Sequence, residues 1–325
     1  MTARTPDATS LTSWVADAVL APSMHNAQPW LFRYERARGV LTLRTDPART
    51  MPRSDPSGRG LHLGCGAALF HLRVAAADAG WEARITARPG PAEPDVLAVA
   101  AFVPAPDRED IAGLRPAIAR RHTNRAPFSD EPVPEELLDG LRGAARAEGA
   151  RLDIADDWRV RELLTAVWDA GHEEELAPAV REEIARWTAA REETATDGIP
   201  SYALGPRRYD GRAPVRDFPG GHRDDGRGPA VYESSPCLAV LGTHRDEPED
   251  WLRAGQAMER VLLQATADGL STSLNSQALE WPELRWLVRD PLSETAYPQI
   301  VIRLGYGPDA PATPRRPVSE VLTVD

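Results

Sequence analysis

Two short segments hold the residues best suited to chemistry. Ala21-Pro22-Ser23-Met24-His25-Asn26-Ala27-Gln28-Pro29-Trp30 crowds two prolines, a serine and two amides between an apolar helix (Val15, Ala18, Val19, Leu20) and a strand (Leu31 to Tyr34). Proline lacks an amide hydrogen and pushes its predecessor toward extended geometry, so this stretch is predicted as irregular loop. Such a loop offers short polar side chains and free backbone amides to a polyol or a heteroaromatic ring. Further along, Arg120-Arg121-His122-Thr123-Asn124-Arg125-Ala126-Pro127-Phe128 gathers three guanidiniums and a hydroxyl, a set able to grip a phosphate monoester through charge-assisted hydrogen bonds. The chain contains no lysine, so every basic phosphate ligand must be an arginine or a protonated histidine.

Together these segments resemble the FMN-dependent nitroreductase family, specifically its Acg-type branch, where a P-S-x-x-N-x-Q-P-W segment and an R-x-[ST]-x-R-x-x-F segment both occur. In ordinary nitroreductases the arginine motif comes first and two subunits complete each flavin site. Here the loop lies near residue 22 and the arginines near residue 121, as if one chain held two half-sized copies, each keeping a different part of one site. The resemblance implies FMN as cofactor, one per chain. Its phosphate is expected on Arg121, His122, Thr123 and Arg125, joined by Arg315 and Arg316 of Pro314-Arg315-Arg316-Pro317, which follow a strand end at Leu304-Gly305-Tyr306. The ribityl chain and ring edge are expected near Pro22, Ser23, Met24 and Asn26, with Gln28 supporting the loop, and the isoalloxazine N5 near backbone amides around Asn275 and Ser276. No catalytic side chain is expected, because the cofactor performs the hydride chemistry while the protein sets orientation and access. The implied reaction is reduction of nitro, quinone or similar electrophilic aromatics by NAD(P)H. Two other readings stand beside it: a flavin-sequestering protein whose lid blocks turnover, and an FMN-dependent oxidase in a biosynthetic pathway.

The elements that must position these segments read as α+β, with central sheets flanked by helices. Leu11 to Leu20 is a helix with Ser10 or Thr12 as cap, and alternation around Gly39 predicts a hairpin. Leu61 to Ala79 is a small-residue helix ended by Gly80, and Asp95 to Val103 a strand. The order returns with a helix over Pro134 to Ala147, a strand over Pro236 to Thr243, a helix over Asp250 to Asp268 stopped by Gly269, and a strand over Gln299 to Leu304. Gly255 is aligned with Gly64, 191 positions earlier. This predicts two half-repeats, 1–116 and 117–325, that imitate a family homodimer, so that a monomer is favoured over a homodimer. A lid-like insertion is expected over about 158–230. Trp158 to Ala190 reads as charged helix, and Gly198 to Gly228 as a long loop packed through Tyr202, Tyr209 and Phe218.

Composition excludes several classes. A net charge of -11 argues against nucleic acid as a partner. No apolar run reads as a bilayer span of roughly 20 residues, and Met1 to Ser10 lacks a signal peptide's apolar stretch, which together predict a cytoplasmic protein. Cys65 and Cys237 read as buried reduced thiols, and without an H-x-x-x-H or C-x-x-C pair no metal site is expected. No G-x-S-x-G is present. Gly58-Arg59-Gly60 with Gly64 has the wrong spacing for a dinucleotide fingerprint and reads as helix packing. Arg120, Arg121 and Arg125 have two readings, a solvated helix end offset by Asp130 and Glu131 or an anion clamp; their co-occurrence with the Pro22 loop selects the clamp. Removing Arg125 is then expected to weaken flavin binding by about 2 kcal/mol, roughly thirtyfold. Asn26→Ala is expected to lower flavin content although it lies in the other half of the chain. Full retention of flavin by both purified variants, read from absorbance, would contradict the assignment.

Overall fold

Asp7, rather than Ser10 or Thr12, starts the first helix: its carboxylate accepts from the Ser10 amide at 2.8 Å, and α1 runs Ala8–Ala18. The computed structural model describes residues 5–88, 93–105, 110–188, 195–218, 227–289 and 297–325. After the Pro22 loop, β1 (Trp30–Glu35) and β2 (Val40–Thr45) form the expected hairpin, with Gly39 at φ 64° in the turn. Trp30, Phe32 and Tyr34 face inward while Arg33 is exposed, the period of two that a half-buried strand requires. Then follow α2 (Arg59–Asp78), β3 (Trp81–Ala87) and β4 (Val96–Pro104).

A short α3 (Arg115–Ile118) leads into the arginine segment, and the elements of the second sheet then follow the same order as those of the first. They are α4 (Glu135–Ala147), β5 (Arg151–Ile154), then, after the insertion, β8 (Cys237–Thr243), α7 (Pro248–Ala267), β9 (Ser271–Asn275) and β10 (Tyr297–Gly305). The insertion supplies α5 (Asp157–Leu176), α6 (Pro178–Arg186) and a two-stranded parallel ribbon, β6 (Arg207–Asp210) with β7 (Pro229–Val231). α8 (Pro282–Val288) lies between β9 and β10, and α9 (Val318–Val321) precedes β11 (Leu322–Val324). The first sheet has the order β11-β1-β2-β4-β3 and the second β5-β8-β10-β9. Apart from β11, both follow one plan: first strand, second, fourth, third, every neighbouring pair antiparallel. β11 comes from the far end of the chain and joins β1 in parallel, with Phe32 beside Leu322.

Between the two sheets, α2 and α7 cross at backbone distance. A Cβ added to Gly66 would lie 2.2 Å from the Leu252 carbonyl oxygen, and one added to Gly255 would lie 2.2 Å from that of Leu63. Gly66 and Gly255, and likewise the helix-ending Gly80 and Gly269 (φ 80° and 81°), are each 189 positions apart, so pairing Gly64 with Gly255 was two residues out of register. α2 is long and apolar enough to cross a bilayer, contrary to the expectation for this sequence, but most of it is buried in the core, as befits a helix apolar on all sides.

The insertion departs from its expected form in two ways. Its helical stretch is broken at Ala177 and Pro178 into α5 and α6. Phe218 packs as expected, but Tyr202 and Tyr209 are exposed, and the rest of the segment's packing comes from Ile184, Ile199, Ala203 and Leu204. α5 covers the outer face of the second sheet, where Val160, Leu163 and Val167 meet Leu238, Val240 and Val301. This cover explains why β8 is an unbroken apolar run, since both of its faces are buried. Gly66→Ala is expected to lower stability by about 3 kcal/mol, because the clash is with backbone and no rotamer relieves it. A thermal unfolding midpoint equal to that of the parent protein would refute this account of the crossing.

Candidate functional site

The Pro22 loop is held in an unusual shape. His25, Asn26 and Gln28 adopt positive φ (48°, 56° and 54°), left-handed backbone that costs a non-glycine residue about 1–3 kcal/mol. The surroundings enforce it. The Ser23 hydroxyl accepts from the Gln28 amide at 2.9 Å, and the Gln28 side chain donates to Thr196 O at 2.8 Å and accepts from the Arg316 amide at 2.8 Å. The Asn26 amide nitrogen donates to the carbonyls of Gly198 (2.9 Å) and Pro314 (3.0 Å), joining the loop to the insertion and to the C-terminal segment. Below the loop, Gly60 and Gly64 of α2 leave room for Met24 and Ser23: a Cβ on either glycine would fall about 3 Å from them. That is the packing role expected of these glycines.

The arginine segment is fixed from the other side. Asn124 donates its backbone amide to Thr272 O at 2.8 Å, Thr123 pairs with Thr272 as an isolated parallel bridge, and the Asn124 side chain donates to Pro308 O at 2.6 Å. Arg303, stacked 3.6 Å above the Phe128 ring and paired with Glu233, donates to Ala126 O at 3.1 Å. Asp130 is occupied by the Ser234 and Ser235 amides, and does not offset the arginines.

These anchors bring both motifs to one place. A small cavity of about 40 Å³ is lined by Pro22, Ser23, Asn26, Arg121, His122, Thr123, Arg125, Ile199, Thr313 and Arg315. It adjoins a larger cavity of about 460 Å³, the two sharing Pro22, Ser23, Thr123, Arg125 and Ile199. The larger one has an apolar floor from Leu63, Trp251, Met258, Leu274 and Ile300, and Met24, Asn275 and Ser276 also line it. Gln28 is fully buried behind the loop and lines neither. Arg316 is the one expected ligand placed elsewhere. Its guanidinium faces away, donating to Asp46 at 3.1 Å and to Gln28 O at 3.3 Å, so it braces the loop from behind.

The electrostatics of the small cavity are one-sided. Among the described residues, the only carboxylate within ion-pair distance of Arg121, Arg125 or Arg315 is Glu259, 3.2 Å from Arg121 Nε. Burial pushes Arg125 down to about 10, with Arg216 adding to the effect, and Arg315 down to about 9, with Arg121 adding. Arg121 Nη1 and Arg315 Nε are buried without a hydrogen-bond partner among the described residues. Burial, with Arg121 and Arg315 beside it, lowers His122, and burial with Arg216 and Arg125 holds His25 well below the ordinary histidine range. The arginines, not the histidines, therefore carry the charge.

Sequence reasoning missed two members of this site. His25 lines the larger cavity with an unpartnered Nε2, its ring edge-on to Phe218 at 5.8 Å. Arg216 crosses the cavity from the insertion and pairs with Glu280 (2.7 Å) and Glu174 (2.5 Å). Phe218 lies between Arg125 and Arg216, 5.7 and 5.6 Å from their guanidinium carbons. Asn275 holds this flap by donating to Pro214 O at 3.3 Å, and Arg125 by donating to Ala203 O at 3.0 Å. Arg216 sits in the glycine- and proline-rich run where no periodicity singles out a residue. Neither thiol contributes: burial raises both, Cys65 is sealed in the core, and Cys237 is only half-buried.

The model for the nitroreductase family matches residues 118–281. Along its whole length the chain is similar to acg of Mycobacterium tuberculosis, a protein named provisionally as an NAD(P)H nitroreductase, with 36% identity over 98% of both chains. The chain belongs to the nitroreductase family. Rv3131 of the same organism, with the same kind of provisional name, is 34% identical over 98% of this chain and 92% of its own. Among solved structures, NfnB from sphigopyxis sp. strain HMH, titled as an FMN and NADPH-dependent nitroreductase, aligns at 18% identity with a TM-score of 0.41, over 65% of this chain and 97% of that one.

Adjacent arginines with opposite tasks give a paired prediction. Arg316→Met leaves Asp46 and the Gln28 carbonyl short of a buried donor and is expected to cost about 1–3 kcal/mol of stability. Arg315→Met removes a buried cation that has no carboxylate of its own, so ligand-free stability is expected to hold while anion binding weakens. Calorimetry of both variants with and without a phosphate-bearing ligand separates the two, and equal effects would refute the division.

Proposed function

We propose that the chain binds FMN and works as an NAD(P)H-dependent oxidoreductase on nitroaromatic, quinone or similar electrophilic acceptors. The observation that carries this reading is the pairing of a small, cation-lined cavity with a larger, apolar-floored one across a single opening. Three buried guanidiniums facing one carboxylate suit a dianionic phosphate, which carries about two negative charges near neutral pH. A cavity of about 460 Å³ falls within the roughly 300–1,000 Å³ usual for small-molecule and cofactor sites.

In this reading Arg121, Arg125, Arg315 and Thr123 hold the phosphate, while Ser23, Met24 and Asn26 lie along the ribityl chain. The floor of Leu63, Met258 and Ile300 supports one face of the ring. β9 runs from Thr272 beside the clamp to Asn275 at the larger cavity, a rise of about 10 Å over three residues, so that Asn275 and Ser276 would meet the ring. Bound FMN would supply the two-electron chemistry and the side chains would orient it; His25, held well below the ordinary histidine range by burial, lines the same cavity.

A second reading, sequestration of the flavin, is favoured by the flap. Arg216 is locked to Glu174 and Glu280, all three nearly buried, which holds Phe218 over the cavity. Anaerobic mixing of the yellow protein with NADPH decides between the two. Prompt bleaching of the yellow colour is the expected result. Persistent colour supports sequestration, and a colourless protein that takes up no FMN overturns both.

A further inference from the structure

The clamp continues inward past Arg121. Glu259 Oε1 on α7, which faces Arg121 Nε at 3.2 Å, is also 2.6 Å from His71 Nε2 on α2. Glu259 and His71 are fully buried and Arg121 nearly so, and no other described ionisable group forms an ion pair with any of the three. The second ring nitrogen of His71, Nδ1, lies 2.9 Å from the Asp17 carbonyl oxygen of α1. A carbonyl can only accept, so Nδ1 bears a hydrogen. Were Nε2 bare, two lone pairs would face each other at 2.6 Å. A proton therefore lies between Nε2 and Oε1, on the ring or on the carboxyl. In both cases the histidine and the glutamate together have no net charge.

This changes the charge count of the small cavity. If Glu259 were an ordinary carboxylate it would neutralise Arg121 and remove one of the three positive charges around the cavity. With its charge balanced by the His71 proton, it faces Arg121 Nε at 3.2 Å without a hydrogen bond, and Arg121 Nε and Nη1 both remain without a hydrogen-bond partner among the described residues. Arg121 Nη2 and Arg315 Nη2 both donate to Leu20 O at 3.2 Å, so the orientation of Arg121 also sets its distance from Arg315. We infer that His71, remote from the cavity and buried between the central helices, is a positioning residue for anion binding: its proton neutralises Glu259 and leaves the charge of Arg121 to a phosphate monoester. The inference rests on the FMN reading above for the identity of that monoester.

The test compares FMN with riboflavin, which has the same ring and no phosphate, by fluorescence titration of apoprotein. The parent protein is expected to prefer FMN. His71→Leu is expected to bind FMN about tenfold more weakly, the loss of roughly one charged hydrogen bond, with riboflavin affinity unchanged. Glu259→Gln is expected to keep FMN affinity within about threefold, because an amide donating to a neutral His71 leaves the total charge beside Arg121 unchanged. Retained FMN preference in His71→Leu overturns the inference. So does a gain of tenfold or more in Glu259→Gln, which would reveal an unneutralised carboxylate in the parent; this variant also decides alone if His71→Leu does not fold. Equal affinity of the parent for FMN and riboflavin would instead overturn the phosphate-cavity reading itself.

Discussion

The structure depends on two helices meeting without side chains between them. Where α2 crosses α7, Gly66 and Gly255 allow backbone to touch backbone, and the sheets on either side are set at the distance this contact allows. The same helices then face the cavities with the residues one turn away. Leu63 and Gly64 of α2 receive the Pro22 loop and part of the floor; Met258 and Glu259 of α7 supply the rest of the floor and the partner of Arg121. A wider crossing would move the loop away from the arginines.

Around this scaffold polar groups are distributed unevenly. Along the larger cavity they are matched: Arg285 makes a bidentate pair with Asp246 at 2.7 Å, Trp251 donates to the same carboxylate, and Asp246 is held at about 2, its burial outweighed by the bonds from Arg285, Trp251 and Gln299 together. At the small cavity they are not: Arg125 and Arg315 donate to backbone carbonyls, and Arg315 also to the Thr313 hydroxyl, with no carboxylate within ion-pair distance of either among the described residues. Buried cations lacking carboxylates cost stability in the empty state, and proteins keep them where a ligand offsets that cost.

Much of the site was legible because its residue types have little alternative use. Two prolines and two amides in nine residues cannot form a strand or an α-helix, and three arginines beside a histidine and a threonine rarely sit idle. Helix ends were legible at Gly80 and Gly269, where left-handed backbone favours glycine. What stayed hidden depends on three-dimensional neighbours. Arg315 and Arg316 look alike in sequence, yet one side chain points to the cavity and the next to Asp46. Small residues on α2 permit several registers with α7, and only the crossing shows that Gly66, not Gly64, meets Gly255. His71 and Glu259 lie 188 positions apart, each an ordinary polar residue on an alanine-rich helix. Tyr202 and Tyr209 misled because aromatic residues in a loop suggest packing, whereas here only Phe218 packs, beside smaller aliphatic residues.

The antiparallel plan shared by the two sheets has a consequence for assembly. Pro22 to Met24 on one wall of the larger cavity and Thr123, Arg125 and Asn275 on the other belong to the same covalent chain. When such walls come from separate subunits, dilution takes the binding site apart along with the oligomer. Here their local concentration is set by the polypeptide and not by the number of molecules in solution, so these two walls stay together at any protein level.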